Sequence, residues 1–223
     1  MSESNAPNLG AELLRIHSII TRGLQVGIEH SQSFSRQGYP NNTVREGFIC
    51  YVRSFISVLD AHHETEDQLA FPSFRDKFPN APFDLLTTQH RTLIPMLNQA
   101  RTTIDEMDAY PENGTLLSTL SLLLKKIDEL WHPHIRIEEE HFTVSKVAAT
   151  IPSDEQARLN KLFMEHSQQR AKPDFLIVPF LLYNLTPEHR STFAAAMPPV
   201  VVQQLVPVVW KEKWEPMKPF LIV

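Results

Sequence analysis

The chain has 223 residues and a mass of 25.6 kDa, which suits one sizeable hydrophobic core. Its 21 Lys and Arg against 26 Asp and Glu give a net charge of −5, which is no electrostatic signature of nucleic-acid or anionic-membrane binding. The single cysteine, Cys50, excludes an internal disulfide framework and a cysteine-based metal site. The polar start lacks the apolar segment of a signal peptide, and no apolar run is long enough to cross a bilayer. We therefore expect a globular, cytoplasmic protein with no nucleic-acid or membrane partner.

Four long amphipathic helices are predicted in the first two thirds of the chain. Apolar residues recur with a period near 3.6 over about residues 9–35, 41–71, 83–108 and 115–147, and Pro, Gly and Asn interrupt the pattern between them. Helices of this length with mostly short links are typical of an antiparallel bundle. The sequence therefore predicts an all-α fold, an up-down-up-down four-helix bundle over residues 9–149.

The C-terminal part, residues 150–223, differs in composition, because nine of the 17 prolines occur from Pro152 onward. Helix starts are indicated at Ser153 and at Pro187. The remainder is apolar but interrupted by proline, which predicts an extension of short helices and extended pieces packed on the bundle. Such an extension could wall a substrate pocket, shield the bundle or form an interface in a homo-oligomer.

Each predicted helix of the bundle carries an inward histidine. His17, His62, His90 and His134 are separated by 45, 28 and 44 residues. This long, short, long spacing places all four at one height in an up-down-up-down bundle, because each helix residue advances about 1.5 Å along the axis. The four histidines are therefore predicted to converge.

Two of these helices add a carboxylate one turn after the histidine, and i and i+4 positions share one helix face. His63 is rotated about 100° from its neighbour on the same helix, so it is available to a second metal ion. Imidazoles and carboxylates on facing helices are the ligand set that bundles use for di-iron or di-manganese centres. The candidate metal ligands are His17, His62, His63, Glu66, His90, His134 and Glu138.

These residues carry a resemblance to a known family. The segments LDAHHETEDQLAFP and PHIRIEEEHF resemble the two His-x-x-x-Glu helices of the hemerythrin-like (HHE cation-binding) family, and ELLRIHSII and LLTTQHRTLI are similar to its lone-histidine helices. The resemblance covers about residues 9–149, and the remainder is similar to C-terminal extensions of fungal members. It implies two non-haem iron ions, rather than manganese, with an oxo or hydroxo bridge and an open position for O₂.

One position departs from the family pattern. Classical hemerythrins carry two histidines one turn apart on the third helix, but here Ile94 stands one turn after His90. Either His63 supplies the missing ligand or one iron has fewer ligands. The register His63/Asp67 in place of His62/Glu66 is a further alternative. The nearby acidic residues are expected on a solvated face or around the ligands; they are Glu64, Glu139 and Glu140.

The ligand set favours O₂ binding over O₂ cleavage, because neutral imidazoles stabilise ferrous iron whereas carboxylates stabilise higher oxidation states. The first hypothesis is a protein that binds O₂ or another diatomic molecule as a carrier, a sensor or an iron-handling protein. The alternative is a di-iron oxygenase or oxidase acting on a small organic substrate, in a pocket walled by extension residues such as Phe180 and Trp210. A third hypothesis is an interaction module whose stability depends on iron.

Overall fold

Four long helices form the centre of the molecule in the computed structural model, which describes residues 8–110 and 114–223. The predicted all-α class and helical bundle are confirmed. Residues 1–7, considered for a signal peptide, and residues 111–113 of the turn before the fourth helix lie outside the described residues. The bundle helices are α1 (Leu9–Gln37), α2 (Asn42–Thr65), α3 (Phe83–Ala109) and α4 (Thr115–His141).

The helices form a closed ring in which α1 and α3 each pack against both α2 and α4. Contacts between α1 and α4 show that these helices run antiparallel. The start of α1 meets the end of α4 through His17 and Glu138, and the end of α1 meets the start of α4 through Ser35 and Ser118. The ring encloses an interior to which every helix contributes side chains at matching heights.

Side-chain caps fix where the first two helices begin. Asn8 and Asn41 each accept a hydrogen bond at Oδ1 from the backbone N–H three residues later, at 3.1 and 2.9 Å. The end of α1 is followed by Gly38 at φ 75°, a backbone conformation that residues other than glycine rarely adopt. Each capping residue stands directly before the helix that it caps. The starts of α1 and α2 can therefore be located from the sequence.

Two predicted helices end earlier than their apolar patterns do. The second predicted helix, about 41–71, is α-helical only as far as Thr65 and continues as a π-helical segment, Glu66–Ala70, and a short turn, Phe71–Phe74. The fourth, about 115–147, ends at His141, because Thr143 caps a new helix, α5 (Val144–Thr150), through the backbone N–H of Lys146. Apolar periodicity alone does not reveal either change of backbone.

Apolar residues fill the bundle in two layers. One layer includes Ile20, Leu59, Leu93 and Trp131, one residue from each helix, and all are at most 1% exposed. The other layer lies towards the opposite end of the bundle, and it includes Leu9, Ala70, Leu86 and Phe142. Along each helix, the candidate metal ligands stand between a residue of the first layer and a residue of the second.

The residues after 150 are almost entirely helical and pack mainly on α2. Tyr51 of α2 is fully buried and donates a hydrogen bond from its hydroxyl to Oδ1 of Asn184, at 2.7 Å. No helix within the described residues is long and apolar enough to span a membrane. The successive segments are α6 (Ser153–Arg170), α7 (Asp174–Tyr183), α8 (Pro187–Ala195), a π-helical segment (Val201–Val209), a short turn (Lys211–Trp214) and a 3₁₀ segment (Glu215–Phe220).

The 3₁₀ segment depends on a glycine in α2. A Cβ atom at Gly47 would lie 1.8 Å from the carbonyl oxygen of Pro216, so no other residue allows this close approach.

We predict that Gly47→Ala lowers the free energy of unfolding by about 1–3 kcal/mol, because the 3₁₀ segment must move. Urea denaturation measures the change. The matched control is Gly114→Ala. A Cβ atom at Gly114 would have no neighbour within 4 Å, so this substitution is expected to change the free energy of unfolding by less than about 0.5 kcal/mol.

Candidate metal centre

Seven side chains with metal-binding atoms meet between the two apolar layers, and none is more than 8% exposed. Their ligand atoms form two groups, and within each group the atoms lie within 4.8 Å of one another. Glu66 belongs to both groups. The structure thus brings together all seven candidates from the sequence. The first group is His63, Glu66, His90 and His134, and the second is His17, His62, Glu66 and Glu138.

Each carboxylate lies between a histidine of one group and a histidine of the other. Glu66 places Oε1 3.3 Å from Nε2 of His62 and Oε2 3.5 Å from Nε2 of His90. Glu138 places Oε2 3.2 Å from Nε2 of His17 and 3.5 Å from Nε2 of His134. Both carboxylates are therefore placed to serve two neighbouring cations at once.

Six of the inward polar atoms make no hydrogen bond within the described residues, whereas Nε2 of His90 and Nε2 of His134 lie 3.0 Å apart. The Nε2 atoms of His17, His62 and His63 make no hydrogen bond within the described part of the chain, and neither do Oε2 of Glu66 and both carboxylate oxygens of Glu138. Leaving such atoms unpaired in a dry interior costs about 1–3 kcal/mol each. Lone pairs converging on two points fit a pair of cations, which would satisfy nitrogen and oxygen ligands together.

Several of the histidines are oriented by a partner on the ring nitrogen that points away from the centre. His17 donates from Nδ1 to Oε1 of Glu139 at 2.9 Å, and His134 donates from Nδ1 to Oε1 of Gln89 at 3.0 Å. Such outer partners fix the ring orientation and leave Nε2 as the ligand atom. Glu139 thus lies around the centre, as expected, whereas sequence reasoning did not identify Gln89, since a glutamine beside a histidine forms no recognisable pattern.

A buried tryptophan closes one side of the centre. The ring of Trp131 lies 5.4 Å from that of His17 and 5.9 Å from that of His63, and Nε1 donates to Thr21 at 2.8 Å. It also lies beside His62 and His134. Sequence reasoning missed Trp131, although its position three residues before His134 places it on the same helix face.

A π-helical segment begins at the two acidic residues that follow α2. The backbone N–H of Glu66 still bonds to the carbonyl of His62, as in an α-helix, and the wider turn comes after it, since the N–H of Phe71 bonds to the carbonyl of Glu66. Glu66 is buried among the histidines, whereas the side chain of Asp67 is 30% exposed and lies 3.0 Å from Nδ1 of His90. Asp67 belongs to neither ligand group.

Burial sets the protonation of the histidines in the metal-free centre. It lowers the pKa of His62 and His63 well below the ordinary value and that of His134 to about 4, so these rings are neutral and able to bind a cation. Burial acts to lower the pKa of His17, but the nearby carboxylates of Glu138 and Glu139 outweigh it and the net shift is upward.

The two buried carboxylates have opposite shifts. Burial and the negative charge of Glu138 raise the pKa of Glu66 well above its ordinary value. Burial acts to raise the pKa of Glu138 as well, but the close contact with His17 and the charges of nearby histidines lower it overall. The metal-free centre thus holds a proton on Glu66, which a cation would displace.

The remaining histidines lie outside both ligand groups. His132 is near Asp128 on the exposed side of α4, and His141 contacts Phe142 at its end. His166 contacts Thr65 at 2.9 Å. Pro133 lies within α4, which continues through it to the fully buried His134. Among the described residues, the two ligand groups therefore contain only histidines that the sequence analysis proposed as metal ligands.

The interior of this helical bundle holds two groups of histidines and glutamates. These features place the protein in the class of metal-cation-binding bundles. Residues 10–143 match the family described as the hemerythrin HHE cation binding domain, which covers more than half of the chain. The chain belongs to this family. No curated protein and no solved structure matches the chain significantly.

The metal-free protein is expected to lose stability as the pH falls from about 7 to about 5. Below about pH 6.5 the unfolded chain protonates its histidines, whereas the folded chain keeps His62, His63 and His134 neutral, so the unfolded state binds more protons. Each group lowers the free energy of unfolding by up to about 1.4 kcal/mol per pH unit. The raised pKa values of Glu66 and His17 oppose this change, with at most two protons against three.

Urea unfolding of metal-free protein at successive pH values measures this slope. Replacing His63 by Phe removes one of the three groups and is expected to make the slope shallower. A free energy of unfolding that stays constant or rises on acidification would show that the buried histidines are charged in the folded protein.

Proposed function

We propose that the chain is a non-haem di-iron protein that binds O₂ at this centre. The observation that carries the proposal is the pair of ligand groups joined by Glu66, with each carboxylate lying between histidines of both groups. One iron would be held by His63, His90 and His134, the other by His17 and His62, and both by Glu66 and Glu138. The five imidazoles favour iron over manganese.

The unequal division of histidines supports O₂ binding, because the ion held by His17 and His62 would have one histidine fewer. When bound, the ferrous pair would supply the electrons that O₂ takes up reversibly. The protein contributes neutral imidazoles, outer partners that fix their orientation, and the buried rings of Trp131 and of Phe71, which stacks on His90. In this proposal His63 supplies the ligand that is missing one turn after His90.

The assignment of Glu66 as a shared ligand is tested by two variants of adjacent acidic residues. We expect Glu66→Gln to reduce the iron content below two per chain, because an amide is a weaker and neutral ligand. Asp67→Asn is the matched control and should retain two irons. Elemental analysis of purified, iron-loaded protein gives the stoichiometry. Iron loss in Asp67→Asn but not in Glu66→Gln would instead select the His63/Asp67 register.

Reversible O₂ binding is tested by absorption spectroscopy. We expect protein loaded with two ferrous ions per chain to gain a visible absorption band on exposure to O₂ and to lose it when O₂ is removed. Irreversible O₂ uptake without a lasting band would contradict a carrier and favour the enzyme. Failure to load any transition metal would contradict the di-iron proposal itself.

A second candidate function is favoured by a cavity of about 580 Å³ beside the centre, with His62 and Glu66 in its wall. A diatomic ligand needs no such space, whereas ligand pockets for organic molecules measure about 300–1,000 Å³. The extension supplies part of the wall, including Trp210; Phe180 instead lies fully buried in the core and does not line the cavity. The second candidate is thus a di-iron oxygenase or oxidase that uses O₂ as its oxidant on a small organic substrate.

A further inference from the structure

The cavity is elongated along α1. The residues of α1 that line it run from Leu9 to Ile19 and share one helix face. Ten residues of helix span about 15 Å, which gives the minimum length of the space. The opposite wall is formed by α2, from Val58 to Glu66, and by α6. An occupant that fills this cavity is therefore longer than it is wide.

The cavity reaches the metal centre on one side only. Its wall includes His62 and Glu66 of the second ligand group, but none of the three histidines of the first group. The ion with fewer protein ligands would therefore be the one that faces the cavity. A molecule bound in the cavity would lie beside the same position that is proposed for O₂.

The surface of the cavity is mainly aliphatic and aromatic. The bundle contributes side chains such as Leu13, Ile16 and Val58, and the extension contributes Ile177, Leu181, Phe193 and Met197 among others. Apolar side chains from two parts of the chain thus face each other across an open space. Apolar surface of this kind is stabilised by an apolar occupant, because filling the space removes both surfaces from water.

The charged side chains in the wall, apart from those of the metal centre, are paired within the protein. Arg15 is bonded to Glu12, and Asp174 is bonded to Lys172 at 2.8 Å. The Thr65 hydroxyl donates to the carbonyl of Ala61 at 2.7 Å. An occupant therefore meets no unpaired buried charge in the wall apart from the metal centre, and it needs few polar groups of its own.

We propose that this cavity binds an elongated, mainly hydrocarbon molecule with one segment against His62 and Glu66. Its role as the substrate of the di-iron centre rests on the proposed function, whereas its binding depends only on the cavity. The extension has a defined part in this proposal: α6, α7 and the segments after α8 close the wall that the four-helix bundle leaves open.

Decanol is a suitable probe, since it is long and almost entirely apolar, and butanol is the short control. Isothermal titration calorimetry on the full chain, both metal-free and iron-loaded, should show that decanol binds in both forms and much more tightly than butanol. Absence of decanol binding to either form would overturn the proposal.

Two adjacent leucines of α1 provide matched variants. Leu13 lines the cavity, whereas Leu14 is 43% exposed and does not line it. We expect Leu13→Trp to weaken decanol binding by about tenfold or more by filling the space, and Leu14→Trp to leave it within about twofold. Leu181→Trp, in the part of the wall that α7 contributes, should act like Leu13→Trp. Equal binding by all the variants would show that decanol binds elsewhere.

Iron-loaded protein supplies a second readout. Decanol should change the visible absorption of the iron centre, and the change should be lost in Leu13→Trp while the iron content stays at two per chain. Decanol binding that depends on Leu13 without any metal loading would retain the apolar site and reject the di-iron function. Iron loading without decanol binding would retain the di-iron function and reject the apolar site.

Discussion

The burial of seven metal-binding side chains between two apolar layers is the constraint on which the rest of the structure depends. Several of their inward atoms make no hydrogen bond within the described residues, and unpaired polar atoms in a protein interior are costly. A pair of cations would satisfy both groups of ligands at once. The stability of the bundle and the chemistry of its centre are therefore linked, because the groups that would hold the cations are the ones that are least stable without them.

The two apolar layers give the centre its rigidity. On each helix, a ligand stands between core residues on both sides, so moving a ligand would disturb packing at both ends of the bundle. Outer contacts add precision, with Glu139 and Gln89 each holding the outer nitrogen of a histidine. Fixed rings, neutral nitrogens and two shared carboxylates are what a dinuclear centre requires.

The extension adds a cavity beside the candidate metal centre. Packed on α2, it makes part of the outside of the four-helix bundle into the wall of a cavity. Gly47 allows its 3₁₀ segment to approach the α2 backbone, and Tyr51 anchors Asn184. The candidate metal centre thereby acquires a neighbouring space large enough for an organic molecule.

The sequence by itself determined the four helices and the heights of their histidines, because helical periodicity and spacing are local or arithmetic properties of the chain. It also singled out the seven side chains that converge. The division of the histidines into three and two, and the burial of Glu66 rather than Asp67, were decided by tertiary structure. Only the structure shows that Glu66, and not Asp67, belongs to both ligand groups. Trp131 and Gln89 were likewise found only in the structure, as was the cavity, because contacts between distant segments depend on how the helices pack.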